Sequence, residues 1–357
     1  MTLDQLRSAD PDGMYDAIAA FPQHLREGTA LGDDIKPIPV SKARRIVLLG
    51  MGGSAIGGDL LRSYLTAATG GSVDMRIIRG YTPPPVDRNT LVIASSYSGT
   101  TEETLAAFDA VRRDAGAVLA ITTGGTLGEI ARSEGYRTIT LPGGLQPRAA
   151  LAYSFFPLAQ ALAVRSALFG DETAAATVTG IAETGVLLDA LARRYGAGPR
   201  RGNTAWRTAE QLHGLVPVIY SGADLLDTVN LRWRGQIQEN GKHLAFGNLL
   251  PEMNHNEING WQLPKDLLKR FALLFLRDRA DHPRTAARID ITRRVLGRSV
   301  GRTITLETEG ESLLARMFSL VHLGDWTSWY IAAMNGVDPM PVPIIQKLKK
   351  ELSSAGG

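Results

Sequence analysis

The run Gly50-Met-Gly-Gly-Ser-Ala-Ile-Gly-Gly58 constrains this chain most, because it stands between a short apolar segment, Ile46–Leu49, and a helix-forming stretch, Ser54–Ala67. A strand that ends in glycines and runs straight into a helix is a unit of an open parallel sheet. At such a junction the backbone comes close to an anion, and the helix dipole favours it. The alternation continues: Met75–Ile78 and Leu91–Ala94 read as strands, Thr101–Arg113 as a helix, and Val118–Ile121 and Arg137–Leu141 as strands. Glu102 and Glu103 fall in the first helical turn, where acids suit the dipole. Strands alternating with helices predict an α/β fold.

From Ala149 to Glu183 the chain is rich in Ala and Leu and carries no strand signal, which predicts helices linking two units. A second alternation follows: strand Val216–Tyr220, helix Leu225–Asn240, strand Phe271–Leu276, helix Pro283–Val295, strand Thr303–Leu306 and a long helix, Ser312–Asn335. "IVLLGMGGS" is answered by "VPVIYSGAD", so two doubly wound units with mostly parallel sheets are expected. The expected division is one amphipathic helix with a Pro-punctuated connector over 1–40, units at 41–165 and 166–340, and a C-terminal helix in 341–357. That last helix places Ile344, Ile345, Leu348 and Leu352 on one stripe, with Lys347, Lys349 and Lys350 off it.

The 357 residues are 44% hydrophobic and 21% charged, a soluble globular composition. Basic residues number 39 against 36 acidic ones with no basic block, which argues against nucleic-acid and membrane partners. Absence of cysteine excludes disulfides and thiolate zinc sites. The N-terminus lacks an apolar leader core, and apolar runs such as Phe271–Leu276 are too short to span a bilayer, so a cytoplasmic protein is expected.

Taken alone, the glycine run has three readings: an anion cradle, a tight turn required by packing, or a dinucleotide fingerprint with Gly50, Gly52, Ala55 and Asp74 as the ribose acid. A second loop, Ser95-Ser-Tyr-Ser-Gly-Thr-Thr-Glu-Glu103, also follows a strand and opens a helix. Ser98 or Thr100 could merely cap that helix. Two such loops in one sheet instead suit a phosphate monoester, whose three terminal oxygens accept many hydrogen bonds from hydroxyls and backbone N–H groups.

GMGGSAIGGD and SSYSGTTEET resemble the two phosphate-binding loops of the sugar isomerase (SIS) domain family. With LQPRAALAYSFFPL, QENGKH, PEMNHNEINGW and GVDPMPVPIIQKLKKEL, they resemble the bifunctional phosphoglucose/phosphomannose isomerases of the phosphoglucose isomerase superfamily. Thr100 departs from the expected Asn but keeps a hydroxyl. The resemblance implies a metal-free and cofactor-free interconversion of glucose 6-phosphate and/or mannose 6-phosphate with fructose 6-phosphate through a cis-enediol. It implies phosphate binding by Gly52, Gly53, Ser54, Ser96, Ser98 and Thr101. It also implies Glu239 as base, His255 as the ring-opening residue, Arg148 as enediolate stabiliser and Lys349 near the ring oxygen, with Lys347 and Lys350 as alternatives to Lys349. In that family the histidine comes from the neighbouring subunit, so a homodimer is expected.

Each of these residues also has a plain structural reading. Glu239 could be a solvated helix residue, although it lies off the Val229–Trp233–Ile237 stripe and just before Asn240-Gly241, a helix-ending pair. His255 could be a surface histidine and Arg148 an ordinary ion-pair partner. The six histidines show no H-x-x-x-H or H-E-x-x-H spacing, which argues against zinc chemistry. Two rivals stay open: a non-catalytic SIS-type sugar-phosphate regulator, and an NAD-dependent dehydrogenase built on the first loop.

Overall fold

The computed structural model describes residues 1–39 and 45–355. Positions 40–44 and 356–357, which include the end of the expected connector, the first residues of the 41–165 unit and the chain end, lie outside the described residues.

The N-terminal segment is three helices rather than the single one expected: α1 (Leu3–Arg7), α2 (Met14–Ala19) and α3 (Phe21–Asp34). Gly13, in the left-handed region at φ 80°, breaks the first from the second. The Asp10 carboxylate then accepts the N–H groups of Met14 at 2.8 Å and Tyr15 at 2.6 Å, starting α2.

The first unit runs β1 (Arg45–Gly50), α4 (Gly52–Thr69), β2 (Asp74–Ile78), β3 (Thr90–Ser95), α5 (Glu102–Val111), β4 (Ala117–Thr122), α6 (Gly125–Ser133) and β5 (Arg137–Thr140). Its five strands are all parallel in the order β2-β1-β3-β4-β5. Three helices follow: α7 (Leu151–Val164), α8 (Asp171–Tyr195) and α9 (Thr204–Leu212). The second unit opens with β6 (Val216–Gly222), α10 (Asp227–Glu239) and β7 (Phe246–Leu250), then a single tight turn, Glu252–His255, and the short helices α11 (Glu257–Gly260) and α12 (Lys265–Leu268). It closes with β8 (Phe271–Arg277), α13 (Pro283–Leu296), β9 (Arg302–Glu307), α14 (Leu313–Met334) and α15 (Pro343–Ala355). The second sheet, also parallel throughout, is ordered β7-β6-β8-β9, so both sheets share one plan.

Alternation along the strands explains the layering. In the first sheet Ile46, Leu48, Leu91 and Ile93 face inward, whereas Val47, Leu49, Val92 and Ala94 face outward onto α5 and α6. The second sheet turns Ile219, Leu274 and Ile304 inward and Val218, Leu273 and Phe275 outward onto α13. The two inner faces belong to one core, filled by Phe155 and Phe156 of α7 and by Phe318, Trp326, Trp329 and Tyr330 of α14. Apolar on every side, α14 is buried on every side.

Among the described residues α8 alone is long and apolar enough to cross a membrane, in contrast to the expectation that no apolar run reached that length. It packs against α14, α3 and α7 through Gly180, Ile181, Gly185, Leu188 and Leu191.

Candidate active site in the crevice between the sheets

A parallel sheet places its ligands beyond the carboxyl ends of the strands, where the strand order reverses. In the first sheet that point lies between β1 and β3, where both sequence-identified loops emerge. Glycine is required there by contact. A Cβ on Gly53 would stand 2.4 Å from the Pro147 carbonyl oxygen, and one on Gly99, at φ 72°, would stand 1.8 Å from that of Gly124. The Tyr97 N–H donates to Ser54 Oγ at 3.1 Å, joining the loops. Ser96 Oγ lies 2.9 Å from Thr101 Oγ1 and accepts the Gly99 N–H at 3.1 Å, while Ser98 and Thr100 hydroxyls pair at 3.1 Å. Ser54 and Ser96 are buried and Ser98 is exposed. Neither α4 nor α5 has a side-chain cap, so both helix N-termini present N–H groups to this crevice.

The second unit closes over it through α10. Asp227 accepts hydrogen bonds from Arg62 and Ser63 of α4, both at 2.5 Å, and Thr228 Oγ1 donates to the Asp59 carbonyl at 3.2 Å. Between α4 and α10 lies a cavity of about 200 Å³ lined by Gly52, Gly53, Arg79, Arg148, Arg232 and Glu239, among others. A larger depression of about 460 Å³, lined by Arg88, Arg112 and Arg137, lies at the amino ends of β3–β5, away from the ligand-binding end of the sheet.

Glu239 is the last residue of α10, with Asn240 as the C-cap. Its carboxylate stands 3.7 Å from Arg148 Nη1 and keeps partial access to solvent. Arg148 is buried and held on three sides. Its Nε donates to Asn240 Oδ1, and its Nη2 donates to the carbonyls of Pro339 and Met340, all at 2.7 Å, which leaves Nη1 for the cavity. Burial pulls the guanidinium pKa below its usual value, and the Glu239 charge opposes that.

Arg79 and Arg232 were not singled out from the sequence. Arg79 pairs with Asp59 of α4, while Arg232 donates to Asp325 at 2.8 and 3.1 Å and to the Arg148 carbonyl at 3.1 Å. Asp325, one acid inside the apolar run of α14, was the available signal for a buried ion pair. Asp74, the ribose acid of the dinucleotide alternative, is taken up by Arg45 and Arg76.

His255 and Lys349 lie outside this cavity. His255 is exposed at the end of the tight turn after β7. The segment carrying it is firmly anchored: Tyr220 donates to Glu257, Asn248 Nδ2 donates to the same carboxylate at 2.8 Å, and Asn254 Nδ2 donates to Thr292 at 2.9 Å. Lys349 is exposed on α15, as are Lys347, which pairs with Glu351 at 3.8 Å, and the whole Ile344, Ile345, Leu348 and Leu352 stripe.

Two family models match the chain, the SIS domain over residues 40–155 and the bacterial phospho-glucose isomerase C-terminal SIS domain over 201–352. In solved structures the fold is similar to a hypothetical protein of Thermus thermophilus, at a TM-score of 0.71 and 19% identity, covering 99% of this chain and 92% of that one. The bifunctional phosphoglucose/phosphomannose isomerase of Aquifex aeolicus is 37% identical over 86% of this chain and 90% of its own. The enzyme of the same description from Caldicellulosiruptor bescii is 40% identical over 95% of this chain and 99% of its own. This chain therefore belongs to the bifunctional phosphoglucose/phosphomannose isomerase family.

Proposed function

We propose that this protein is an aldose–ketose isomerase that interconverts glucose 6-phosphate and/or mannose 6-phosphate with fructose 6-phosphate. The observation that carries the reading is the Glu239 carboxylate facing the remaining edge of a buried Arg148, in the cavity that Gly52 and Gly53 also line. The loops at Gly52–Ser54 and Ser96–Thr101 hold the phosphate through N–H groups and hydroxyls, which sets the open-chain sugar toward Glu239. Glu239 takes the C2 proton of the aldose and returns it to C1, while the O2 hydroxyl proton passes to O1. Arg148 Nη1 meets the negative charge that develops on the enediolate oxygens.

Ring opening needs an acid–base group at the ring oxygen, and we assign it to His255 with Lys349 beside it. His255 faces solvent in its own chain on a well-anchored segment, which suits delivery into the site of a second copy. The exposed apolar stripe of α15 offers the same homodimer a further surface to cover. We place the two SIS units at 41–165 and 166–340 and the protein in the cytoplasm.

EDTA-treated protein is expected to convert fructose 6-phosphate to an aldose phosphate, followed by NMR. Glu239→Gln should lower turnover by about a thousandfold while still binding glucitol 6-phosphate, a non-reacting alditol phosphate. A sugar-phosphate regulator would bind that ligand and turn nothing over in the parent chain. Mixing inactive Glu239→Gln and His255→Ala chains should restore activity, because a hybrid dimer has one site with both groups intact; no recovery after subunit exchange would refute delivery across the interface.

A further inference from the structure

We infer that Lys242 is a positioning residue that locks Glu239 and Arg148 into register, an inference that rests on the isomerase reading above. Helix α10 ends at Glu239, and the turn that follows runs Asn240-Gly241-Lys242. A helix end of this kind normally gives its left-handed position to glycine. Here the left-handed residue is Lys242, at φ 48°, although Gly241 is next to it. Gly241 is committed elsewhere: a Cβ on it would stand 2.6 Å from the Ile237 carbonyl oxygen and 3.0 Å from Ile331 of α14. The lysine therefore takes up a conformation that L residues avoid, and such cost persists where surrounding contacts compel it.

Those contacts are specific. Lys242 Nζ donates to the carbonyl of Glu239 at 2.7 Å and to that of Pro339 at 2.9 Å. The Pro339 oxygen also accepts from Arg148 Nη2 at 2.7 Å. One ammonium group thus ties the backbone of the base to the carbonyl that holds the guanidinium. Two cations share this acceptor, and partial burial together with the Arg148 charge draws the Lys242 pKa below its usual value. A role limited to ending the helix would need no cation there, since glycine does it better.

The test compares Lys242→Gly, Lys242→Met and Lys242→Arg with Glu239→Gln in the full-length protein. Kinetics with fructose 6-phosphate and thermal melts are both recorded. Lys242→Gly releases the left-handed strain, so its Tm should equal or exceed that of the parent, yet kcat should fall about tenfold with KM within about twofold. Lys242→Met should lose kcat to a similar extent, and Lys242→Arg should recover about half of the parent kcat or more. Parental kcat in Lys242→Gly beside an inactive Glu239→Gln would overturn the clamp and leave the base assignment standing. So would a kcat loss that tracks Tm across the three variants. Turnover that survives Glu239→Gln would remove the base assignment and the clamp with it.

Discussion

The crevices at the carboxyl ends of the two sheets have one plan and opposite chemistry. Between β1 and β3 the loops carry glycine and hydroxyls, and both following helices start without side-chain caps. Between β6 and β8 the equivalent loops carry Asp224, Asp278 and Asp281. Of the two helix starts there, that of α13 is capped by a side chain, and that of α10 carries an acid in its first turn. The His282 ring accepts the Arg284 N–H at 3.1 Å to begin α13, and Asp227 in the first turn of α10 is spent on Arg62 and Ser63. Asp278 takes Arg316 and Thr308, both at 2.8 Å, and Ser221 donates to carbonyls of its own loop. A phosphate entering the second crevice would meet the carboxylates of Asp224 and Asp281, which have no counterpart between strand and helix in the two loops of the first crevice. Two sheets of one plan thus share a frame that can suit an anion, and the residues of their loops set them apart.

Paired substitutions can break this comparison. The largest effect is expected at the close approaches: Gly53→Ala should cost about a hundredfold in kcat/KM, because its new Cβ meets backbone at 2.4 Å. The matching Gly222→Ala, whose nearest neighbours stand at 3.3 and 3.4 Å, should stay within about threefold of the parent. Next come the hydroxyls. Removing both partners of the Ser96–Thr101 pair with Ser96→Ala and Thr101→Val should raise KM about tenfold if, as proposed, they donate to the substrate phosphate. Ser221→Ala should leave KM unchanged, and equal effects in the two crevices would dissolve the distinction between them.

The smallest expected effect is on stability and depends on pH. Burial and the neighbouring Asp278 charge push the Asp281 pKa up from 3.8 to about 6. The folded chain then keeps a proton that the unfolded chain releases between those values. Stability contributed here is consequently lost as pH rises from about 4 to about 6, and the penalty is fully present above that, at roughly 1–2 kcal/mol after solvent screening. Asp281→Asn should raise Tm by about 2 °C at pH 7.5, and calorimetry at pH 4 should find the gain nearly gone.

What could be read from the sequence follows how local each cause is. The β1–α4 and β3–α5 junctions were legible because backbone contact at Gly53 and at Gly99 permits nothing larger. Strand β7 was not legible: Phe246-Gly-Asn-Leu-Leu250 lacks alternation, and Gly247 is there because a Cβ would meet the Ile219 carbonyl at 2.4 Å on the neighbouring strand. Placement of Glu239 opposite Arg148 depends on segments roughly ninety residues apart, so residue type alone left Glu239 as a solvated helix residue; the family resemblance supplied a role for each, and the fold supplies the pairing. At the end of α10 the glycine visible in the sequence misdirects, since packing against α14 claims Gly241 and leaves the left-handed turn to a lysine.

The shared core has a consequence for how the molecule melts. The inner faces of both sheets, with α4, α7, α10 and α14, contribute to one apolar core. Loss of either half would expose apolar surface of the other, so the two units are not expected to melt as separate calorimetric domains. Heating should produce one cooperative endotherm whose van't Hoff and calorimetric enthalpies agree for a given oligomeric state. The distance across the crevice is accordingly a property of the folded chain as a whole, set by the core that both sheets share.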